Sequence, residues 1–164
     1  MKAPIPSTIE AALADVIRTQ EIGAGTLVRC WHVLRNDNKW NPENDRFFPC
    51  VAISATGQRP GNQPATFSSN VAIIIATLTE DDGDHAQTTA IEFAVQAAID
   101  ALYMQSRRRT GELLTAFRAS FNEQCAPCVF GGIEIGEPTP PSDSEGVSST
   151  GINITIHYSR SDLS

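Results

Sequence analysis

Between positions 71 and 78 the chain reads VAIIIATL, apolar at nearly every residue rather than at every second one. In an extended strand Val71, Ile73 and Ile75 point one way, and Ala72, Ile74, Ala76 and Leu78 point the other. A strand with one wet face alternates with polar residues, so this pattern predicts cover on both faces. An acidic turn (EDDGD, 80–84) follows, then an alanine-rich stretch (HAQTTAIEFAVQAAIDALYMQ, 85–105) with helical periodicity. Asp84 fits an N-cap, with Gln87 at the capping-box position. Ile91, Val95, Ala98, Ile99 and Leu102 form one stripe of this helix. Ala90, Ala94, Ala97 and Ala101 form a second, of small residues, and Glu92, Gln96 and Asp100 leave a narrow polar strip. The helix is roughly 30 Å long at 1.5 Å per residue, enough to cross a sheet. Strand and helix together carry more apolar surface than a short chain covers, which predicts shelter by neighbouring copies.

The flanking pattern is simpler. Ser7 and Glu10 have capping-box spacing at the start of a first helix, with Ile9, Leu13, Val16 and Ile17 on one stripe and Gly23 and Gly25 beyond its end. TLVRCWHV (26–33) and PCVAISA (49–55) read as strands, and Trp31 as a core residue. RNDNKWNPENDR (35–46) and TGQRPGNQPA (56–65) are turn-rich and read as exposed loops, with Trp40 available for contact. After SRRRTG (106–111), Leu113, Leu114, Phe117 and Phe121 predict a shorter helix. CVFGGIEIG (128–136) reads as a strand with Val129, Ile133 and Ile135 on one side, and Gly131–Gly132 suggests a bulge. PTPPSDSEGVSST (138–150) reads as a Pro/Ser loop. In the last strand, 151–159, Ile152, Ile154, Ile156 and Tyr158 face in, and Asn153, Thr155 and His157 face out. Strands in two groups around a helical middle predict a single α+β domain: a mostly antiparallel sheet with helices packed on one face.

Composition narrows the function classes. The chain has 164 residues, a net charge of -7 and 41% hydrophobic content. That supports one real core. It argues against a general nucleic-acid binder, which needs a basic face. No apolar run approaches the ~20 residues of a membrane span. The N-terminus has one lysine and no apolar signal core, so export is not expected, and the four cysteines read as free thiols.

Chemistry-bearing residues are few. Cys125-Ala-Pro-Cys128 has metal or redox spacing, but a zinc site needs about four ligands. Cys30, His32, Cys50 and His85 complete one only if the fold gathers them. A thioredoxin-type pair precedes a helix, whereas this one follows a helix and precedes a strand. Buried thiols are the simpler reading, with a zinc-binding or thiol-redox module as the alternative of another class. Asp81, Asp82 and Asp84 lack the ligand spacing of a calcium loop and suit turn formation and capping. Arg107, Arg108 and Arg109 suit a solvated helix end, or docking onto an acidic partner or a neighbouring copy. His32, His85 and His157 are scattered, and no catalytic constellation or phosphate-cradling loop can be assembled by spacing. No enzymatic activity and no cofactor are expected.

The arrangement resembles the tail terminator proteins of long-tailed phages, the gpU-like minor tail proteins. The resemblance rests on an opening helix (IEAALADVI, 9–17), a proline-led strand (FPCVAISA, 48–55), the long strand and acidic turn (NVAIIIATLTEDDGD, 70–84), the long helix (85–102) and a closing strand (GINITIHYS, 151–159). It implies a small α+β virion subunit that forms a homohexameric ring. Such a ring caps the finished tail tube and offers its other surface to the head connector. Its implied partners are copies of itself, the tube protein and the neck protein, with DNA only passing through the lumen and no membrane contact. Arg107, Arg108, Arg109, Ala90, Ala94, Ala97, Ala101 and Trp40 are the interface candidates. A head-completion or neck protein one layer nearer the portal is the alternative within the same class, and a host protein with an oligomeric α+β domain is a third.

Overall fold

In the computed structural model, residues 5–17, 21–22, 26–27, 30–32, 50–78, 86–144 and 146–161 are described. The elements run α1 (Ile5–Ile17), β1 (Glu21–Ile22), β2 (Thr26–Leu27), β3 (Cys30–His32), β4 (Cys50–Ala55), β5 (Arg59–Pro60), β6 (Thr66–Leu78), α2 (Ala86–Arg108), α3 (Glu112–Gln124), β7 (Cys128–Ile135), β8 (Thr139–Ser144) and β9 (Val147–Arg160). β1 and β2 form a separate antiparallel pair. The other strands make one sheet in the order β3-β4-β6-β9-β7, antiparallel throughout except for the β3–β4 pair. β5 also pairs with β6, and β8 with β9. The chain is therefore an α+β domain with a mostly antiparallel sheet.

The two long strands set the frame. β6 and β9 pair along their whole length, from Thr66↔Ser159 to Leu78↔Val147. This register puts Val71, Ile73 and Ile75 beside Ile154, Ile152 and Thr150 on one face. Val51, Ile53 and Ala55 of β4 continue that face outward. All of these are buried, under α1, α2 and α3. The opposite face carries Asn70, Thr155, Asn153 and His157, exposed or half-buried, as their alternation predicts. Ala72 and Ile74 on that face are half-buried and Ala76 is fully buried, so β6 is largely covered within one chain.

Side-chain shape explains the main packing. Phe117 and Phe121 of α3 meet Phe130 of β7 edge-on, at 5.0 and 5.8 Å between ring centres. Tyr158 closes the cluster 5.9 Å from Phe121, and its hydroxyl shares a 3.0 Å hydrogen bond with Ser69. At the other end, the Thr77 and Thr88 hydroxyls bond at 2.9 Å and tie β6 to the start of α2.

Several expectations are corrected. α1 begins at Ile5, two residues before the expected cap at Ser7. It is buried around its circumference from Thr8 to Ile17 except at Asp15, not along one stripe. Of the strand expected at 26–33, Thr26–Leu27 and Cys30–His32 are described, and they belong to different sheets. β6 starts at Thr66, earlier than the apolar run, and the 56–65 loop contributes the two residues of β5. α2 runs on through Arg108. The bulge expected at Gly131–Gly132 is there, as a register shift between Phe130 and Gly132. It inverts the side-chain parity, so Phe130 and Ile133 share the core face and Val129 is turned out, 40% exposed.

The largest correction concerns 138–150. Instead of a loop, the segment forms β8 and the start of β9, turning at Gly146, where φ is 82°. The ladder steps from Thr139↔Gly151 to Ser142↔Ser149 and skips Pro140 and Pro141. Prolines without an N–H are tolerated at such an edge irregularity. Gly151 lets the two strands sit close there, since a Cβ would lie 3.0 Å from Thr139 Cβ and the threonine would have to give way slightly.

Candidate assembly surface

α2 divides sharply into two faces. Thr88, Ile91, Val95, Ala98, Ile99 and Leu102 are buried against the sheet and neighbouring helices. On the opposite side Ala90 and Ala97 are exposed, and Ala94 and Ala101 are half-buried. Phe93 stands between these alanines with 77% of its surface exposed, and Met104 is 43% exposed. The outer face is thus largely apolar over about four turns, interrupted by exposed Thr89 and Asp100. The alanine stripe is where the sequence placed it, but the sequence reading passed over Phe93 and Met104. Their signal was available: Phe93 lies three residues from Ala90 and four from Ala97, hence on the same side of the helix. The predicted polar strip is only partly wet. Glu92 and Gln96 are half-buried, and Gln96 Nε2 donates to Asp100 Oδ1 at 2.8 Å.

The arginine cluster closes α2. Arg107 and Arg108 occupy its last turn, where cations favour the carbonyl end of the helix dipole. Arg109 ends it with a left-handed φ of 60°. The Arg107 guanidinium lies 5.8 Å from the Tyr103 ring centre, and its Nη1 donates to Tyr103 Oη at 3.4 Å. All three arginines are exposed, and among the described residues none of them is paired with a carboxylate. Trp40 and the 35–46 loop lie outside the described residues, as do Asp81, Asp82, Asp84 and His85.

The turn into α3 is built from side chains. Gly111 precedes the helix with φ 143°, and no side chain of its own caps it. Gln105 of α2 does so instead, its Oε1 accepting from the Leu114 N–H at 3.0 Å. A Cβ on Gly111 would lie 2.1 Å from that same oxygen.

Cys125 follows the end of α3 and Cys128 opens β7, both buried and neither in a disulfide. Burial pushes the Cys125 thiol up to about 11, against a hydrogen bond with Thr8 that lowers it. A thiol held protonated in this way is a poor nucleophile at neutral pH. Among the described residues no three His, Cys, Asp or Glu side chains converge on a point that could hold a metal ion.

A groove of about 710 Å³ runs along β7, lined by Tyr103, Arg107, Gly131, Gly132, Ile133, Glu134, Ile135 and His157. His157 Nε2 lies 3.4 Å from Glu134 Oε2, with 45% of the His157 side chain exposed. The groove holds no cysteine, serine or threonine for this histidine to activate. Its polar groups suit surface contact better than covalent chemistry. Among the described residues no helix is long and apolar enough to cross a membrane.

No family model matches the chain. No curated protein matches it significantly either.

Proposed function

We propose that this chain is a self-assembling structural subunit of a phage head–tail junction, a tail-terminator-like protein. Copies close a six-fold ring that caps the tail tube and presents its other face to the head connector. The function is binding and blocking: one ring face matches the tube end, the other does not, and polymerisation stops. The observation that carries the reading is the outer face of α2. Phe93, Met104 and the alanines around them form a largely apolar surface, broken by Asp100, that the described residues leave open, and surfaces of that kind mark protein contacts. The small α+β fold and the exposed arginine turn agree with the resemblance noted in the sequence. The buried, proton-holding Cys125 favours an inert thiol over the zinc or redox alternative.

Imaging the purified protein alone and with tail tubes tests the proposal. Six-fold rings seated on tube ends are expected. A protein that remains monomeric up to millimolar concentration and ignores tube ends would overturn it, and rings that bind a portal but not tubes would move it to the neck layer.

A further inference from the structure

Cys125 and Cys128 take no part in the assembly surface, yet the fold holds them close together. Cys125 caps the end of α3, its N–H donating to Phe121 O at 2.8 Å. The Cys128 N–H donates to Cys125 O, also at 2.8 Å, and closes a tight turn into β7. Such a turn keeps its end Cα atoms within about 7 Å, and a disulfide spans roughly 4.4–6.8 Å. Ser161 anchors the turn, donating to Pro127 O through its N–H at 3.1 Å and its hydroxyl at 3.0 Å. Both cysteines are buried in the cluster that holds Phe121 and Tyr158, whereas Ala126 between them is exposed and Pro127 half-buried. The thiols also lie within electrostatic reach of each other and of the Tyr158 hydroxyl: charge on Cys128 raises Cys125, and charge on either cysteine raises Tyr158.

We propose that Cys125 and Cys128 are a modification site, a dithiol that closes to an intrachain disulfide in an oxidising medium and staples the end of α3 to the start of β7. This does not depend on the head–tail reading. The oxidant is a small-molecule disulfide. One protein thiolate attacks it and releases a small thiolate; the second protein thiolate then displaces the mixed disulfide and releases the other. Two protein S–H bonds and one small-molecule S–S bond are lost, one protein S–S bond is gained, and the protons pass to the released thiolates. The protein sulfurs are oxidised and the small disulfide is reduced.

Cys125 is buried and holds its proton to about 11, and closure gives up its bond with Thr8. The reaction therefore waits on local opening of the turn and is slow at neutral pH. Such a clamp stays reduced in a reducing compartment. It passes no electrons onward, which separates it from a thiol-redox module.

The test incubates the reduced full chain, native and in urea, with mixtures of oxidised and reduced glutathione. Remaining thiols are then alkylated and the chain is digested with trypsin. No lysine or arginine lies between Arg118 and Arg160, so one peptide carries both cysteines and neither Cys30 nor Cys50. Closure makes that peptide about 2 Da lighter and leaves it without alkyl groups. At fixed reduced glutathione, the native chain is expected to close at an oxidised-glutathione level at least about ten-fold lower than the unfolded chain, because the folded turn raises the local concentration of one thiol at the other. Closure at the same or a higher level in the native chain, a native peptide that keeps both alkyl groups, or one that ends as a mixed glutathione disulfide overturns the proposal.

Discussion

The Glu10 carboxylate, in the second turn of α1, accepts a 3.0 Å hydrogen bond from the backbone N–H of Ala55 at the end of β4, 45 residues along the chain. Glu10 is fully buried. The residue that local spacing assigns to a capping box thus locks the first helix to the sheet. Glu10→Ala leaves a buried N–H without its acceptor and should cost about 1–3 kcal/mol. Glu10→Gln keeps an acceptor oxygen and should lose less. Urea unfolding of the two variants measures the difference, and equal losses would show that the Ala55 bond is not what matters.

The aromatic cluster separates folding from assembly. Phe117 is fully buried and packs edge-on against Phe130, whereas Phe93 is mostly exposed. Phe117→Ala should cost about 3–5 kcal/mol through lost burial and the cavity left behind. Phe93→Ala should stay within about 0.5 kcal/mol of wild type in stability while weakening self-association. Denaturant melts paired with sedimentation at matched concentrations distinguish the two effects.

Alkaline pH tests the buried thiol. The unfolded Cys125 releases its proton near 9, and the folded one holds it to about 11. Between those values the unfolded state binds fewer protons, so stability falls as pH rises. The contribution is fully present below pH 9 and is lost by about 11, a decline on the order of 2 kcal/mol. Burial raises Tyr158 as well, against its bond to Ser69, and adds to the decline in the same direction. Cys125→Ala should flatten the pH 9–11 slope. An unchanged slope would assign the decline to other groups.

The α2–α3 corner predicts a paired effect. Gln105→Ala removes the acceptor for the Leu114 N–H and should cost about 1 kcal/mol, as the loss of a helix cap does. Gly111→Ala places a Cβ against Gln105 in a backbone region that disfavours side chains. It should cost at least as much in thermal melts. In the double variant Gln105→Ala/Gly111→Ala the clash is removed, and the loss should be less than the sum of the two.

Charge reversal of Arg107, Arg108 and Arg109 should leave melting nearly unchanged, since all three are exposed and without ion-pair partners among the described residues. Assembly should weaken instead. Complementation of virion assembly at wild-type level by the triple variant would remove these residues from the contact.

Much of the fold was legible in the chain because its signals are local. The strict alternation of Ile152, Ile154, Ile156 and Tyr158 survives as the core face of β9. The stripe Ile91, Val95, Ala98, Ile99 and Leu102 survives as the buried side of α2. Gly131–Gly132 marked its bulge, yet the consequence for Val129 was missed, because one extra residue flips the parity of everything on one side of it. Residues 138–150 were misread for a related reason. Their composition is that of a loop, and only β9 alongside supplies the partner that makes β8 a strand.

Periodicity and turn chemistry act between residues a few positions apart, so the sequence by itself determined the α+β class, the long central strand, the two-faced second helix and the closing strand. Tertiary structure decided where each apolar surplus ended up. It covered most of β6 within the chain and surrounded α1, while leaving Phe93, Met104 and the small residues beside them uncovered. That division depends on which distant segments meet, and no local pattern encodes it.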